Sequence, residues 1–234
     1  MMMIDLQKMG GISALYMAIS HAIGIVVFIV VLDYPNISDA AEKVALIVDK
    51  QIVIYATNLL MYVIFWIFLI VLVVALYERM KAGTPAMMQV ASAIGIIWAG
   101  SLIASGMVSN AGIDASVWLY AKDPAQAALA WAQIGAVADG LGNANGEILG
   151  GLLTLLISWA GLQASSLPRF LNYLGVVVGL IGISSTIPGL NDLTAVFGIG
   201  QILWFGGLAL FLLRRSPGAS SQPSGEQTLP GRGN

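Results

Sequence analysis

From Gln51 to Tyr77 the chain runs without one charged side chain, and the heart of that stretch reads LLMYVIFWIFLIVLVVAL. A helix rises 1.5 Å per residue, so about 20 apolar residues cross the roughly 30 Å of hydrocarbon in a bilayer. Within lipid the backbone must satisfy its own hydrogen bonds, and a stretch this long predicts a membrane-crossing helix. Measured the same way, six intervals pass: about 10–32, 51–77, 86–108, 145–163, 170–188 and 193–213. His21 interrupts the first, and Glu147 sits near the start of the fourth, where Gly140, Gly142 and Gly146 loosen the approach. Charged residues make up only 9% of the 234 and hydrophobic ones 58%, with a mean hydropathy of +0.87, whereas a soluble domain carries about 25% charge. That excludes an ordinary water-soluble globule. The expected fold is an all-α, polytopic integral membrane protein: residues 1–215 form six transmembrane helices in a compact bundle.

The connecting segments are legible from caps and composition. NISDAAEKVALIVDK reads as a helix start with Ser38 or Asn36 as N-cap, either an extension of the second span or a helix lying at the interface. Asp123-Pro124 places a capping acid before a proline suited to the first helical turn, so a second short helix is expected through AQAALAWAQIGAVA, interfacial or re-entrant, followed by a Gly-rich bend. The first span follows Lys8 as a signal sequence would, but it is too long and lacks a small-residue cleavage site, so it reads as a retained anchor. After Arg215 the composition turns to Ser, Gly, Pro and Gln, which predicts a disordered tail over 216–234.

Positive charge is retained on the cytoplasmic side of membranes, and it is unevenly divided here. Lys8, Arg79, Lys81, Arg169, Arg214, Arg215 and Arg232 fall on one side; Lys43, Lys50 and Lys122 fall on the other with most of the acids. Both termini are therefore expected in the cytoplasm. Trp118, Tyr120 and Trp131 would lie in the outer headgroup region, and Tyr77 and Tyr173 near the inner one.

Composition also narrows the chemistry. The formal charge of −2 offers no basic surface to nucleic acid. With no Cys and one His, thiolate sites, Fe–S clusters and multi-histidine metal centres are excluded, and no metal or cofactor is expected. The sharpest constellation is ADGLGNANGEILGG, where Asp139, Asn143 and Glu147 stand four apart and share one face if the helix continues through the glycines; Thr154 and Ser158 extend the stripe. Such carboxylates either bind a cation or relay protons, or else mark the outer water boundary of the membrane. His21, in mid-span, either exchanges protons with a carboxylate of the fourth span or is a neutral imidazole bonded to a neighbouring helix. Asn58, Asn110 and Gln201 read as interhelical hydrogen-bonding amides. Small residues at Gly10, Ala14, Ala18 and Ala22, and the pairs Gly146/Gly150 and Gly175/Gly179, invite close helix packing. SSTIP before Pro188 is either a helix stop or an unwound end offering carbonyls to an ion. No nucleophile–base pair, P-loop, GxSxG or HExxH is present.

LQKMGGISALY, ALYERMKAGTPA, LPRFLNYLG within the long GEILGG…GLIGI stretch, and the closing LWFGGLALFLLRR resemble a bacterial multi-pass membrane family known only as a domain of unknown function. The resemblance implies the fold and the bacterial inner membrane, and transfers no catalytic residue. The expected function is a non-enzymatic structural or auxiliary module in the lipid bilayer, packing as a homo-oligomer or within a larger membrane complex. The alternative is a proton- or cation-coupled carrier of small solutes using His21, Asp139, Asn143 and Glu147. An intramembrane enzyme is a third reading. A polar cavity joining the first and fourth spans would decide between the first two.

Overall fold

Asp5 caps the first helix, accepting the Gln7 N–H at 3.0 Å, and α1 runs from Leu6 to Ile25. The computed structural model describes residues 5–142 and 147–214; the expected tail, Arg215, Asn143 and Gly146 lie outside them. From α1 the chain passes without a break into a π-helical stretch, Val26–Val31, and then reverses at Asp33, whose φ of 48° is left-handed and whose carboxylate accepts from Asn36 Nδ2. Helix α2 (Ala40–Asp49) is capped by Asp39, not by Ser38 or Asn36. It is a separate helix, because Lys50 leaves helical geometry before α3 (Gln51–Asn58) begins. A second π-helical stretch, Leu59–Ile64, joins α3 to α4 (Phe65–Met80).

Helix α5 (Pro85–Tyr120) has 36 residues, about 54 Å by its rise, so it extends well beyond the expected 86–108. At its far end Asp123 caps α6 (Pro124–Leu141), as its sequence suggests, accepting from Ala125 and Gln126. Helix α6 folds back antiparallel on α5: Ile134 fills the notch at Gly112, and Ser105 and Ser101 donate to the carbonyls of Ala138 and Leu141. The fourth expected span, 145–163, begins only at Ile148 as α7 (Ile148–Gln163); the fifth, 170–188, is α8 (Arg169–Ser184), which stops before Pro188. Helix α9 (Leu193–Arg214) closes the fold.

Four stretches are long and apolar enough to cross a membrane: Leu6–Val31, Gln51–Met80, Pro85–Tyr120 and Leu193–Arg214. Helices α7 and α8 are apolar but have 16 residues each, about 24 Å. All the described elements are helical.

The two ends of the described chain meet. Gln7 Nε2 donates to Leu212 O at 3.5 Å, and Arg79 donates to Gln7 Oε1 and to Ser166 O while lying 4.9 Å over Phe211. From this end α1, α5 and α8 ascend and α4, α7 and α9 descend, around a core that includes Met17, Leu72, Leu153 and Trp204. A second, smaller core of Leu32, Ile47, Ile54 and Ile113 caps the far end under α2 and α6. Outside, the bundle presents Ile23, Ile97, Phe170, Val177 and Leu203, each about half exposed or more, a surface suited to lipid and not to water.

Backbone-to-backbone contact holds α7 on α8. A Cβ at Gly151 would stand 2.7 Å from Gly179 O, and one at Gly179 2.8 Å from Gly151 O. Gly175 and Gly179 both face α7, the first against Ser158 and the second against Gly151 and Leu155, so this pair does permit the close helix contact expected of it; Gly150 faces Trp98 and Phe197, and Gly146 lies outside the described residues. Of the stripe on α1, Gly10 meets Ala75 and Ala14 is buried, but Ala22 is exposed.

Candidate functional site

Where the main core gives way to the second one, the bundle forms a partly open cavity of about 360 Å³. Helix α1 contributes His21 and Ile25, the first π stretch Ile29, and the second π stretch Met61 and Tyr62. Phe65 and Trp66 of α4, Trp98 and Leu102 of α5, Glu147, and the Phe197, Gly198, Gln201 and Phe205 side of α9 complete it. The first and fourth expected spans are thus joined by one cavity holding His21 and Glu147, with Gln201 from the sixth.

Each polar group is positioned by a local feature. His21 is accommodated because α9 has no side chain at Gly198, where a Cβ would stand 3.4 Å from Nε2; the edge of Phe65 lies at 6.0 Å between centroids. Its Nδ1 has no protein partner. Glu147 precedes the first turn of α7, and its backbone N–H donates to Ser185 Oγ at 2.9 Å, while Ser185 donates to Gly182 O. The hydroxyl-rich end of α8 therefore tethers the start of α7. The Glu147 side chain is 6% exposed with Oε2 unpartnered. Gln201 Nε2 donates to Thr154 Oγ1 at 2.7 Å, Thr154 donates onward to Gly150 O, and Gln201 Oε1 is left free of protein partners.

Aromatic rings make up much of the remaining wall. Trp66 and Trp98 meet edge to face at 4.5 Å, and Phe65 contacts both Trp66 and Phe205. Trp66 Nε1 is a further unpartnered buried donor. Sequence reasoning assigned aromatics to membrane boundaries and missed this cage. The available signal was position: Trp66 and Trp98 fall in mid-span, away from the headgroup levels that tryptophan favours.

The stripe expected from Asp139 through Asn143 to Glu147 does not form. Helix α6 ends at Leu141 and α7 starts anew at Ile148, so continuity through the glycines fails. Asp139 is exposed and lines a different cavity of about 460 Å³, with Tyr34, Lys43, Asn58, Ser105, Ser109 and Trp131. There Trp131 Nε1 donates to Tyr34 Oη at 3.3 Å, and burial pushes the Tyr34 phenol above its ordinary range. Asn143 is outside the described residues. Thr154 joins the His21 cavity indirectly through Gln201, whereas Ser158 is buried against Gly175 without a hydrogen-bond partner. Asn58 is buried at the second cavity. Among the described residues no three His, Cys, Asp or Glu side chains are grouped as a metal ion would need.

Comparison with family models, with curated proteins and with solved structures finds no match. The site therefore has to be read from its own chemistry. It offers two unpartnered acceptors, Glu147 Oε2 and Gln201 Oε1, amid π faces whose quadrupoles attract cations.

Proposed function

We propose that this is a six-span, non-enzymatic protein of the bacterial inner membrane, both termini cytoplasmic, whose aromatic cavity binds a small, largely apolar organic cation. In this reading it is a carrier, and His21 and Glu147 are the pair through which solute binding is coupled to protons. The observation that carries the proposal is the joint presence of His21, Glu147 and Gln201 in one aromatic-lined cavity of about 360 Å³, within the range of small-molecule sites. A carboxyl kept inside an apolar bundle is costly and by default marks a functional site. The bacterial setting rests on the family resemblance, and the orientation on the uneven division of Lys and Arg. The α7 and α8 segments, about 24 Å long, would span by local thinning of the bilayer.

A purely structural module is less well supported, because most of the small residues that suggested it are spent inside the bundle. Gly10, Gly150, Gly175 and Gly179 face this chain's own helices and Ala14 is buried, while Ala22 is exposed. The test is titration of the purified protein with benzyltrimethylammonium, followed through the tryptophan fluorescence, to which Trp66 and Trp98 in the cavity wall contribute. Its neutral isostere, neopentylbenzene, serves as the comparison. The cation should bind roughly tenfold more tightly, the margin that a cation–π and carboxylate site of about 1.4 kcal/mol supplies, and Glu147→Gln should erase the difference. Equal binding of the two probes, or no binding of either, would refute the proposal.

A further inference from the structure

Tyr62 is the one side chain common to both cavities among the described residues. The two spaces open differently. The His21 cavity reaches the surface between the π-helical stretch Val26–Val31 and α9, where Ile29 is 54% and Ile199 58% exposed, an apolar lateral mouth facing where lipid would lie. The larger cavity opens beside Asp139, Ala132 and Ala136, all exposed, and carries Lys43, Ser38 and Asn58 in its wall, the character of a space filled by water. Along α5 their walls are one turn apart, Leu102 in the first and Ser105 in the second.

Tyr62 is held at this boundary from both sides. It lies in the π-helical stretch Leu59–Ile64, and its Cβ occupies a notch at Gly106, where a glycine Cβ would stand only 2.3 Å away. The preceding residue, Met61, fills a similar notch at Gly24 of α1. Two glycines on two helices thus clasp consecutive residues of the wall, and π-helical turns are frequent at functional sites.

We infer that the two cavities are halves of one solute route, from a water-filled vestibule beside Asp139 to the lipid-facing cavity at His21 and Glu147, with the Tyr62 ring as the partition between them. The inference builds on the solute-binding reading above and deepens it: the cation would exchange between the bilayer and the aqueous vestibule past Tyr62.

The chain has no cysteine, so single cysteines can report on access directly. With the protein in lipid nanodiscs, the lateral mouth is covered by lipid, and the membrane-impermeant trimethylammonium-ethyl methanethiosulfonate reaches the site only through the vestibule. Ser109→Cys, in the vestibule, should react rapidly. Leu102→Cys, in the inner cavity, should react slowly, and its rate should rise roughly tenfold or more in Tyr62→Ala while Tyr62→Phe leaves it unchanged. Gly106→Ala displaces the ring by a different means and should also accelerate Leu102→Cys, which keeps the test valid if Tyr62→Ala does not fold. Ala91→Cys, buried in the main core away from both cavities, should stay unreactive throughout. An unchanged rate at Leu102→Cys overturns the inference, and so does equal acceleration at Ala91→Cys, since that reports general loosening. Loss of benzyltrimethylammonium selectivity in the unmodified protein bears on the ligand alone; an accelerated Leu102→Cys would still establish the route.

Discussion

Replacing Gly151 by Ala tests whether backbone contact is what fastens α7 to α8. The new Cβ would lie 2.6 Å from Ile183 N, 2.7 Å from Gly179 O and 3.0 Å from Gly182 C, all of them backbone atoms that no rotamer change can move. Restoring ordinary contact requires the helices to part by about 1 Å, and a gap of that size forfeits a quarter to a half of each dispersion contact. Overpacking of this kind costs about 1–3 kcal/mol, and the upper figure applies because all three neighbouring atoms are backbone. Ala gains about 1 kcal/mol over Gly in helix propensity. The net loss should therefore be about 2 kcal/mol, near the thirtyfold end of the shift in unfolding constant that such energies produce. Gly100→Ala is the matched control: nothing lies within 4 Å of its Cβ, so only the propensity gain of up to about 1 kcal/mol should appear. Reversible unfolding in mixed micelles, titrated with SDS and followed by circular dichroism, separates the two. If Gly151→Ala unfolds at or above the SDS fraction of the unchanged protein and tracks Gly100→Ala, the close-contact argument is wrong.

Arg79→Lys should lower the thermal midpoint in detergent through loss of about 1–3 kcal/mol, because an ammonium cannot reproduce the fork that reaches both Gln7 and Ser166 over Phe211. An unaltered midpoint would show that the clamp contributes nothing. Gln201→Leu removes one interhelical hydrogen bond while Thr154 keeps its bond to Gly150 O, so its loss in SDS unfolding should stay near 0.6–1.7 kcal/mol, about the span measured for such bonds in membranes. A deficit of about 3 kcal/mol or more would place the amide in a larger network. For the six-span arrangement, an impermeant maleimide should label Gly83→Cys and Ser165→Cys from one side of oriented vesicles and Asn36→Cys from the other. Labelling of Asn36→Cys and Gly83→Cys from the same side would rule that arrangement out.

Much of the architecture was readable because burial and length act locally along one helix. The apolar run from Gln51 to Tyr77 and the Asp123-Pro124 cap needed no knowledge of neighbours. The cap of α2 was misplaced because Asn36, Ser38 and Asp39 are all competent N-caps within one turn, and backbone geometry selects among them. The stripe on α1 failed at Ala22 for a geometric reason. Steps of four advance an α-helix by 400°, so the stripe rotates about 40° each time and has turned about 120° between Gly10 and Ala22. Asp139, Glu147 and His21 stood out alike as ionisable residues that span ends did not explain, and which of them share a cavity depends on how α1, α7 and α9 pack. Asp139 was grouped with Glu147 only by assuming an unbroken helix, and the new helix start at Ile148 undoes that grouping.

The two π-helical stretches explain why the cavity lies where it does. Each wide turn holds i→i+5 bonds, so it shifts the register between the helix on one side of it and the helix on the other. Below Val26–Val31, α1 packs Ala14 and Met17 into the main core; beyond it, Leu32 enters the second core. Above Leu59–Ile64, Ile54 belongs to the second core, and below it Phe65 and Trp66 belong to the first. The joint between two separately packed cores is where side chains interdigitate least well, so an empty volume there has a packing cause. Packing alone accounts for a void lined by apolar atoms. It does not account for Glu147, Gln201, His21 and the Trp66 N–H, each with a buried atom lacking a protein partner and each able to cost about 1–3 kcal/mol. Hydrocarbon side chains at those positions would avoid that cost and fill the space. Other unpartnered polar atoms, such as those of Ser13, Ser116 and Asn172, are scattered through the bundle, but these four line one cavity large enough for a small molecule, which is the physical ground for proposing a solute route and not a packing defect.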